Sequence, residues 1–328
     1  MKTQPQESHA AKALLEHYGY DSLSYFTLHS GKKFFFSSTG SSFLSYMVLG
    51  HIILVSGDPI GPKEDLLLLI KEFKYFIKGA GLTSCFVGVQ KETLLLLSSF
   101  GYKEFYAGEE AVVSLLEYDK SRLKRKVRRA EKHILMQGIS TEVYSRSTIP
   151  AHFLDQIETL SQKWLHFKGK REIGFSMTLG RVPGIMDTDC EFVLAVQDNT
   201  IVGYLTFVPV YPSNGLSLDE MRRSEDCPNG LMEFLLLQAF AHYKTKGIGE
   251  ISLNFAAFHQ KEINDPGWFS HFQALLYKGL GKYLYGNNIY RFNKKFLPDW
   301  KSRYIAFEQR IHIPLYILAI ARTELNFA

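Results

Sequence analysis

The sequence predicts an α/β protein built as two similar units with a strongly basic helix between them. Three observations carry this. Short β-type runs alternate with longer helical segments before residue 118 and again after residue 138, which implies a mixed sheet with helices on its faces. The stretch between them, KSRLKRKVRRAEKHILMQG, is helical in character and rich in lysine and arginine. At 328 residues the chain can hold two ordinary cores. The expected units are residues 1–118, a linker helix over 119–138, and residues 139–328.

In the first unit, residues 22–57 contain the runs SLSYFTLH, KKFFFSS, SFLSYMVLG and HIILVSG, punctuated by Gly31, Gly40 and Gly50. They read as an antiparallel meander. Gly57-Asp58-Pro59-Ile60-Gly61-Pro62 breaks the chain before a helix over 63–78. A strand over 83–89, a helix over 92–99 and strands over 102–106 and 111–116 complete the unit. In the second, a strand over 141–145 and a helix over 151–167 precede the hairpin EFVLAVQDNTIVGYLTFVPV, which turns at Asp198-Asn199. A strand over 216–221, a helix over 231–246, a strand over 250–254 and a final helical and loop region follow.

Composition narrows the class. The 46% hydrophobic and 22% charged content is that of a folded chain, and 25 Phe with 18 Tyr point to β-rich cores. A net charge of +5 leans toward anionic partners without naming one. Cys85, Cys190 and Cys227 are odd in number and widely spaced, which fits a reducing compartment and argues against a disulfide framework or a zinc site. The first dozen residues are polar, so no secretory signal is expected, and no run approaches the ~20 apolar residues of a membrane span. The expected location is cytoplasmic, with peripheral contact to the inner face of the cell membrane. GxSxG, HExxH, Walker and dinucleotide motifs are absent, and the eleven histidines are scattered.

The most informative stretch is LSLDEMRRSEDCPNGLMEF, residues 216–234. It reads as a strand ending on Asp219, Glu220, Arg222 and Arg223, then a turn, then a helix entered through Asn229 and Gly230. Buried strands seldom end on such charges unless these face a cleft or each other. A long hairpin, a strand and a turn into a helix is the build of an acetyltransferase-type domain. Where such domains use coenzyme A, a glycine-rich basic loop presents backbone amides to the pyrophosphate at a helix N-terminus. Here the equivalent turn, SEDCPNG, carries acids, a proline and one glycine, which would repel a pyrophosphate. The fold class expected is α/β, as two tandem acetyltransferase-like (GNAT-type) domains joined by a basic helix, without coenzyme A.

GFSMTLGR (174–181), SLDEMRR (217–223), NGLMEF (229–234), SLNFAAF (252–258), YRFNKKFLPDWKSRY (290–304) and SGDPIGP (56–62) together resemble the aminoacyl-phosphatidylglycerol synthases. In particular they resemble the catalytic domain of phosphatidylglycerol lysyltransferases, the multiple peptide resistance factors. The resemblance runs in order over nearly the whole chain. It implies a dual acetyltransferase-type fold around a basic helix, and transfer of lysine or a similar cationic amino acid from aminoacyl-tRNA to a lipid hydroxyl, foremost that of phosphatidylglycerol. It implies no metal, no coenzyme A and no DNA. Many relatives carry a multi-span membrane domain or a fused aminoacyl-tRNA synthetase, and neither is read here. A peptide, a sterol, diacylglycerol or a soluble acceptor is therefore the alternative, as is a non-catalytic relative that binds tRNA or membrane.

An aminoacyl-tRNA ester is already activated. The enzyme must align donor and acceptor, hold ammonium groups and steady a tetrahedral oxyanion. The resemblance puts Asp219 and Arg222 at the aminoacyl pocket, with Asp219 on an ammonium; a structural Asp–Arg pair is the other reading. Glu172 matches the acid ahead of the FS motif, or is a solvated loop charge. Glu233 faces the cleft or favours the dipole of its helix. Lys295, among Phe292, Phe296 and Trp300, would serve the oxyanion or the lipid phosphate, and Arg303 a phosphate. Asp58 reads as a turn residue, and His242 and His259 as structural. Lys124, Arg125, Arg128, Arg129 and Lys132 fall largely on one side of a helix. Such a stripe could track a tRNA backbone or meet anionic lipid heads, and tRNA is the expectation. No residue is assigned as general base.

Overall fold

The β-branched and aromatic runs assemble into one eleven-stranded sheet in the computed structural model, which describes residues 4–29, 31–168, 188–257, 286–309 and 312–326. The strands are β1 (Lys33–Phe36), β2 (Phe43–Leu49), β3 (Ile52–Ser56), β4 (Thr83–Val89), β5 (Lys103–Ser114), β6 (Ser140–Ser145), β7 (Glu191–Gln197), β8 (Thr200–Val210), β9 (Gly215–Arg223), β10 (Glu250–Ala257) and β11 (Asp299–Phe307). Among the described residues the α-helices are α1 (Gln4–Tyr18), α2 (Lys63–Gly79), α3 (Lys91–Ser98), α4 (Arg125–Leu135), α5 (Ala151–Lys168), α6 (Leu231–Thr245), α7 (Gly286–Asn293) and α8 (Ile313–Asn326).

Spatial order across the sheet is β1-β2-β3-β4-β11-β5-β10-β9-β8-β7-β6. Two parallel pairs, β3 with β4 and β9 with β10, are each bridged by a crossover helix, α2 and α6. Between these pairs lie β11 and β5, antiparallel to each other and to the flanking strands. The sheet therefore does not break at residue 118: β11, from the end of the chain, inserts between β4 and β5.

Helices cover both faces. On the early strands, α2 and α3 bury Leu69, Phe73, Leu94 and Leu97 against Ile53, Val55 and Phe86. The opposite face receives Tyr316 and Ile320 of α8 against Leu54, Cys85 and Phe105. On the later strands, α4 and α6 pack Val127, Ile134, Phe234 and Phe240 against Val193, Leu205 and Phe207. The reverse face takes α1 and α5 through Leu15, Phe153 and Ile157 against Phe192, Leu194 and Tyr204. Burying each such side chain stabilises by about 1.5–3 kcal/mol.

The elements depart from expectation at four places. SLSYFTLH forms a buried 3-10 turn, Ser24–Leu28, and not the first strand of a meander. The two strands expected over 102–116 are one, because Gly108 (φ 144°) passes against the Ala256 carbonyl of β10, where a β-carbon would lie 2.3 Å away. The basic helix is shorter than 119–138, breaking at Leu123 between a 3-10 turn and α4. Strand β11 lies where a helical and loop region was expected.

Arg303 of β11 is the polar centre of the sheet. Its side chain is 1% exposed and pairs with both Asp21 and Glu110. Its Nε donates to Glu110 Oε2 at 3.0 Å, and its Nη1 to Asp21 Oδ2 at 3.0 Å and to the Gly88 carbonyl at 3.2 Å. Burial by itself would lower the arginine, but the two carboxylates hold it above its ordinary value. Burial would likewise raise Glu110, yet Arg303 and the hydroxyls of Ser22 and Ser252 keep it below the usual range. Asp58, beside this cluster, accepts from Gln90 N–H at 3.1 Å and is pushed up to about 7 by burial and then by Asp21.

Breaking a buried pair leaves an uncompensated charge, so Arg303→Met is expected to cost about 3–5 kcal/mol in urea unfolding. Lys91→Met, which removes an exposed pair with Glu104 (3.3 Å, side chains 53% and 58% exposed), should cost less than about 1 kcal/mol. A depressed carboxylate contributes stability that is complete above its unfolded pKa, ~4.3, and is lost as pH falls through the lower folded value. The urea midpoint should therefore fall on acidification below that pH, and this acid limb should be weaker in Glu110→Gln.

Candidate active site at the notch between β9 and β10

The parallel strands β9 and β10 are hydrogen-bonded only over residues 215–217 and 250–252. Beyond that, β9 runs on with β8 while β10 follows β5, and a notch opens between them. A bulge in β9 sits at the same level. Leu205 opposes Met221 and Phe207 opposes Leu218, so Thr206 alone faces Asp219 and Glu220. One extra residue reverses the alternation. Leu216, Leu218 and Met221 consequently pack toward α6, while Glu220 and Arg222 turn toward α5.

Asp219, at the bulge, is half-buried and accepts from Thr206 Oγ1 at 3.5 Å. Thr206 Oγ1 in turn accepts from Glu220 N–H at 3.0 Å. Arg222, expected to be catalytic, is 4% exposed. Its guanidinium pairs with Glu220 at 2.7 Å, donates to Ser161 of α5, and lies 5.4 Å from the Trp164 ring centre. Tyr204 O–H donates to the other Glu220 oxygen at 2.7 Å. Burial, then the charge of Asp219, raises Glu220 to about 8; burial lowers Arg222 to about 10. Outside this network, Trp164, Lys163, His166, Arg223, Glu225 and Asp226 line a groove of about 910 Å³.

On the other face, α6 begins at Gly230, as the Asn229-Gly230 entry predicts. Gly230 has φ 97°, and a β-carbon there would lie 3.0 Å from that of Ala130 in α4. Only glycine combines the left-handed backbone with this approach. Glu233, in the first turn of α6, meets Lys295: Nζ to Oε1 is 2.8 Å, with the lysine side chain 38% and the glutamate 19% exposed. The Lys295 ammonium also stands 4.6 Å from the Phe292 ring centre. Phe296 is buried edge-on against Phe240, which fixes the 3-10 turn Lys294–Phe296 that carries the lysine. Trp300 stacks on Tyr290 at 4.3 Å rather than on Lys295.

Helix α4 flanks this corner. Val127, Ala130 and Ile134 are buried, and Glu131 is held by Lys120 and by Gln238 of α6 (2.7 Å). Lys124, Arg125, Arg128, Arg129 and Lys132 all face outward, without an ion pair among the described residues.

The structure thus joins Glu233 to Lys295, places α4 beside them, and sets Asp219 at the bulge by the notch. Arg303, expected at a substrate phosphate, is instead enclosed by Asp21 and Glu110. Glu172, the motif over 174–181 and His259 lie outside the described residues. His242, on α6, is partly buried and lowered by burial and then by Lys246. Sequence reasoning missed Asn254 and Asn293. Asn254 (φ 67°) donates to the Leu218 carbonyl at 3.1 Å, and Asn293 to the Leu253 carbonyl at 3.1 Å. The signals available were their places in SLNFAAF and YRFNKKFLPDWKSRY, and for Asn254 a strand-like run, where asparagine is disfavoured. Among the described residues, no three or more His, Cys, Asp or Glu side chains are arranged to hold a metal ion, and no helix is long and apolar enough to cross a membrane.

Residues 12–307 match the family described as phosphatidylglycerol lysyltransferase, C-terminal. The chain belongs to that family. It is 31% identical over 323 residues to the lysylphosphatidylglycerol biosynthesis bifunctional protein LysX of Nocardia farcinica, a match spanning 96% of this chain and 28% of that protein. Identity to LysX of Rhodococcus jostii is 31% over 307 residues, 91% of this chain and 27% of that protein. The chain therefore spans little more than a quarter of the curated relatives it matches. Among solved structures, L-PGS from Bacillus licheniformis superposes with a TM-score of 0.83 at 25% identity, covering 96% of this chain and 95% of that one. For this phosphatidylglycerol lysyltransferase-family chain, the contact of α4 with α6 can be tested directly. Gly230→Ala forces a left-handed alanine, at about 1–2 kcal/mol, against Ala130. Its thermal midpoint should fall by more than that of Gly247→Ala, where the backbone is also left-handed (φ 79°) but nothing lies within 4 Å.

Proposed function

We propose that this chain is an aminoacyl-tRNA-dependent transferase that esterifies a lipid hydroxyl, that of phosphatidylglycerol, with lysine or a similar cationic amino acid. The observation that carries the reading is the Lys295–Glu233 pair at the start of α6, flanked by the outward cations of α4 and lying beside the notch, in a chain of this family. Glu233 orients the lysine, so Lys295 is placed to steady an oxyanion. Asp219 takes an ammonium group of the donor. The acceptor oxygen bonds to the ester carbonyl carbon, and the bond from that carbon to the ribose oxygen then breaks. One proton passes from the acceptor hydroxyl to the departing ribose oxygen, and the donor's own amine is close enough to the carbonyl to relay it.

Lys124, Arg125, Arg128, Arg129 and Lys132 track the phosphates of the tRNA. Arg222 and Arg303 hold the frame without touching substrate, because their guanidinium groups are committed to buried carboxylates and hydroxyls. A lipid acceptor requires the protein to work at a membrane surface. The mirrored order β3-β4-β11-β5-β10-β9 supports two related acetyltransferase-type half-units with α4 at their junction.

Radiolabelled lysyl-tRNA incubated with phosphatidylglycerol liposomes should give labelled lipid. Label in a peptide, in a neutral lipid or in a soluble molecule would redirect the acceptor, and tight tRNA binding without transfer would refute catalysis. Lys295→Ala should lower kcat about a hundredfold or more, as loss of an oxyanion partner does. Replacing Arg125, Arg128, Arg129 and Lys132 with glutamine should raise KM for lysyl-tRNA. It should also flatten the salt dependence of binding, by about 0.7–0.9 in log–log slope for each phosphate that is no longer neutralised.

A further inference from the structure

Parallel neighbours in a sheet normally stay paired, so something must hold β9 and β10 apart past residue 252. Asn254 occupies the point of separation. Relative to β5, β10 carries a bulge between Ser252 and Phe255, and Asn254 within it adopts a left-handed backbone, φ 67°. Asparagine tolerates this region better than most residues. Its side-chain amide then takes over both strands' unmet backbone needs. Nδ2 donates to the Leu218 carbonyl of β9 at 3.1 Å, and Oδ1 accepts from Phe255 N–H at 2.7 Å. A side chain is thus interposed where a direct ladder bond would stand, and the strands are spaced without orphaning a buried polar group.

The wedge is fixed from behind. Asn254 N–H donates to Ser252 Oγ at 3.1 Å, and Ser252 Oγ donates to Glu110 Oε1 at 2.5 Å. Glu110 is itself held by Arg303. On the near side, the bulge turns out the Leu253 carbonyl, which accepts from Asn293 Nδ2 at 3.1 Å. Asn293 immediately precedes the turn bearing Lys295, which reaches Glu233 at 2.8 Å. One continuous series of contacts therefore runs from the buried ion pair, through the bulge, to the candidate oxyanion lysine.

We propose that Asn254 is a positioning residue: it wedges β9 from β10 and, through the bulge it stabilises, places Lys295 for the transfer reaction. The inference rests on the transferase reading above and extends it to a residue that touches no substrate. Its test has two arms. In the first, Asn254→Ala should lower kcat for lysyl transfer about tenfold to a hundredfold, as small misplacements of a reacting group do, with KM for lysyl-tRNA unchanged. Asn254→Asp keeps the acceptor for Phe255 N–H but loses the donor to Leu218, and should fall between Asn254→Ala and wild type. Asn214 is also left-handed (φ 48°), donates to the Gly247 carbonyl at 2.9 Å, and sits at the paired end of the strands, so Asn214→Ala should leave kcat unchanged.

The second arm needs no activity. Acetylation of Lys295 by a small reagent, followed by mass spectrometry, should be faster in Asn254→Ala than in wild type, because its pairing with Glu233 loosens. Wild-type kcat and labelling in the Asn254 variants would overturn the proposal, as would a lower thermal midpoint with kcat and labelling unmoved. If Asn254→Ala does not fold, Asn254→Asp carries the same test. A wild-type protein that transfers no lysine would refute the transferase reading, and the labelling arm would still decide whether Asn254 places Lys295.

Discussion

A charged arginine inside a sheet must be matched, and Arg303 is matched by carboxylates from two other parts of the chain. Asp21 comes from the segment after α1 and Glu110 from β5, while β4 offers the Gly88 carbonyl. Because the Coulombic gain in a buried pair is largely offset by desolvation, the arrangement is better viewed as a specificity device than as a store of stability. It tolerates one register of β11 between β4 and β5, since a slip would leave three charges buried and unpaired. The position of β10 follows through Ser252, and with it the level at which β9 and β10 part.

The candidate site inherits this order. Two charge systems lie on opposite faces of the later strands, and they differ in solvent. The Glu220–Arg222–Tyr204 network is sealed beneath α5, whereas the Glu233–Lys295 pair is partly open. A sealed network fixes the end of β9; an open lysine can exchange a carboxylate for a developing negative charge. The exposed face of α4 adds a positive field over the same corner. Position in the sheet, more than residue type, separates the arginines that hold the frame from the lysine that meets solvent.

How much of this was legible in the sequence depended on whether the cause was local. The β7–β8 hairpin was readable because Asp198 and Asn199 both accept positive φ (48° and 60°). Helix α6 announced itself through Asn229-Gly230, and the cationic face of α4 through its period. Strand β11 was not readable, since Lys301, Arg303 and the preceding Pro298 resemble a loop until Arg303 finds partners 282 and 193 positions away. SLSYFTLH is apolar enough for a strand, yet it is buried as a turn beneath α1 and β8. Lys295 was singled out through the family resemblance and Glu233 through its place in the first turn of a helix, but nothing local joins residues 62 apart. Asn254 stands inside the SLNFAAF motif, yet it was passed over because its role belongs to the gap between two strands.

The insertion of β11 also bears on how the molecule comes into being. A ribosome delivers β4 and β5 long before residues 299–307, so the lane between them can be filled only after those residues have emerged. Pairings of such long sequence separation close slowly and leave edges open to wrong partners in the meantime. A cut at residue 118 would leave β5 on one piece and its sheet neighbours β11 and β10 on the other.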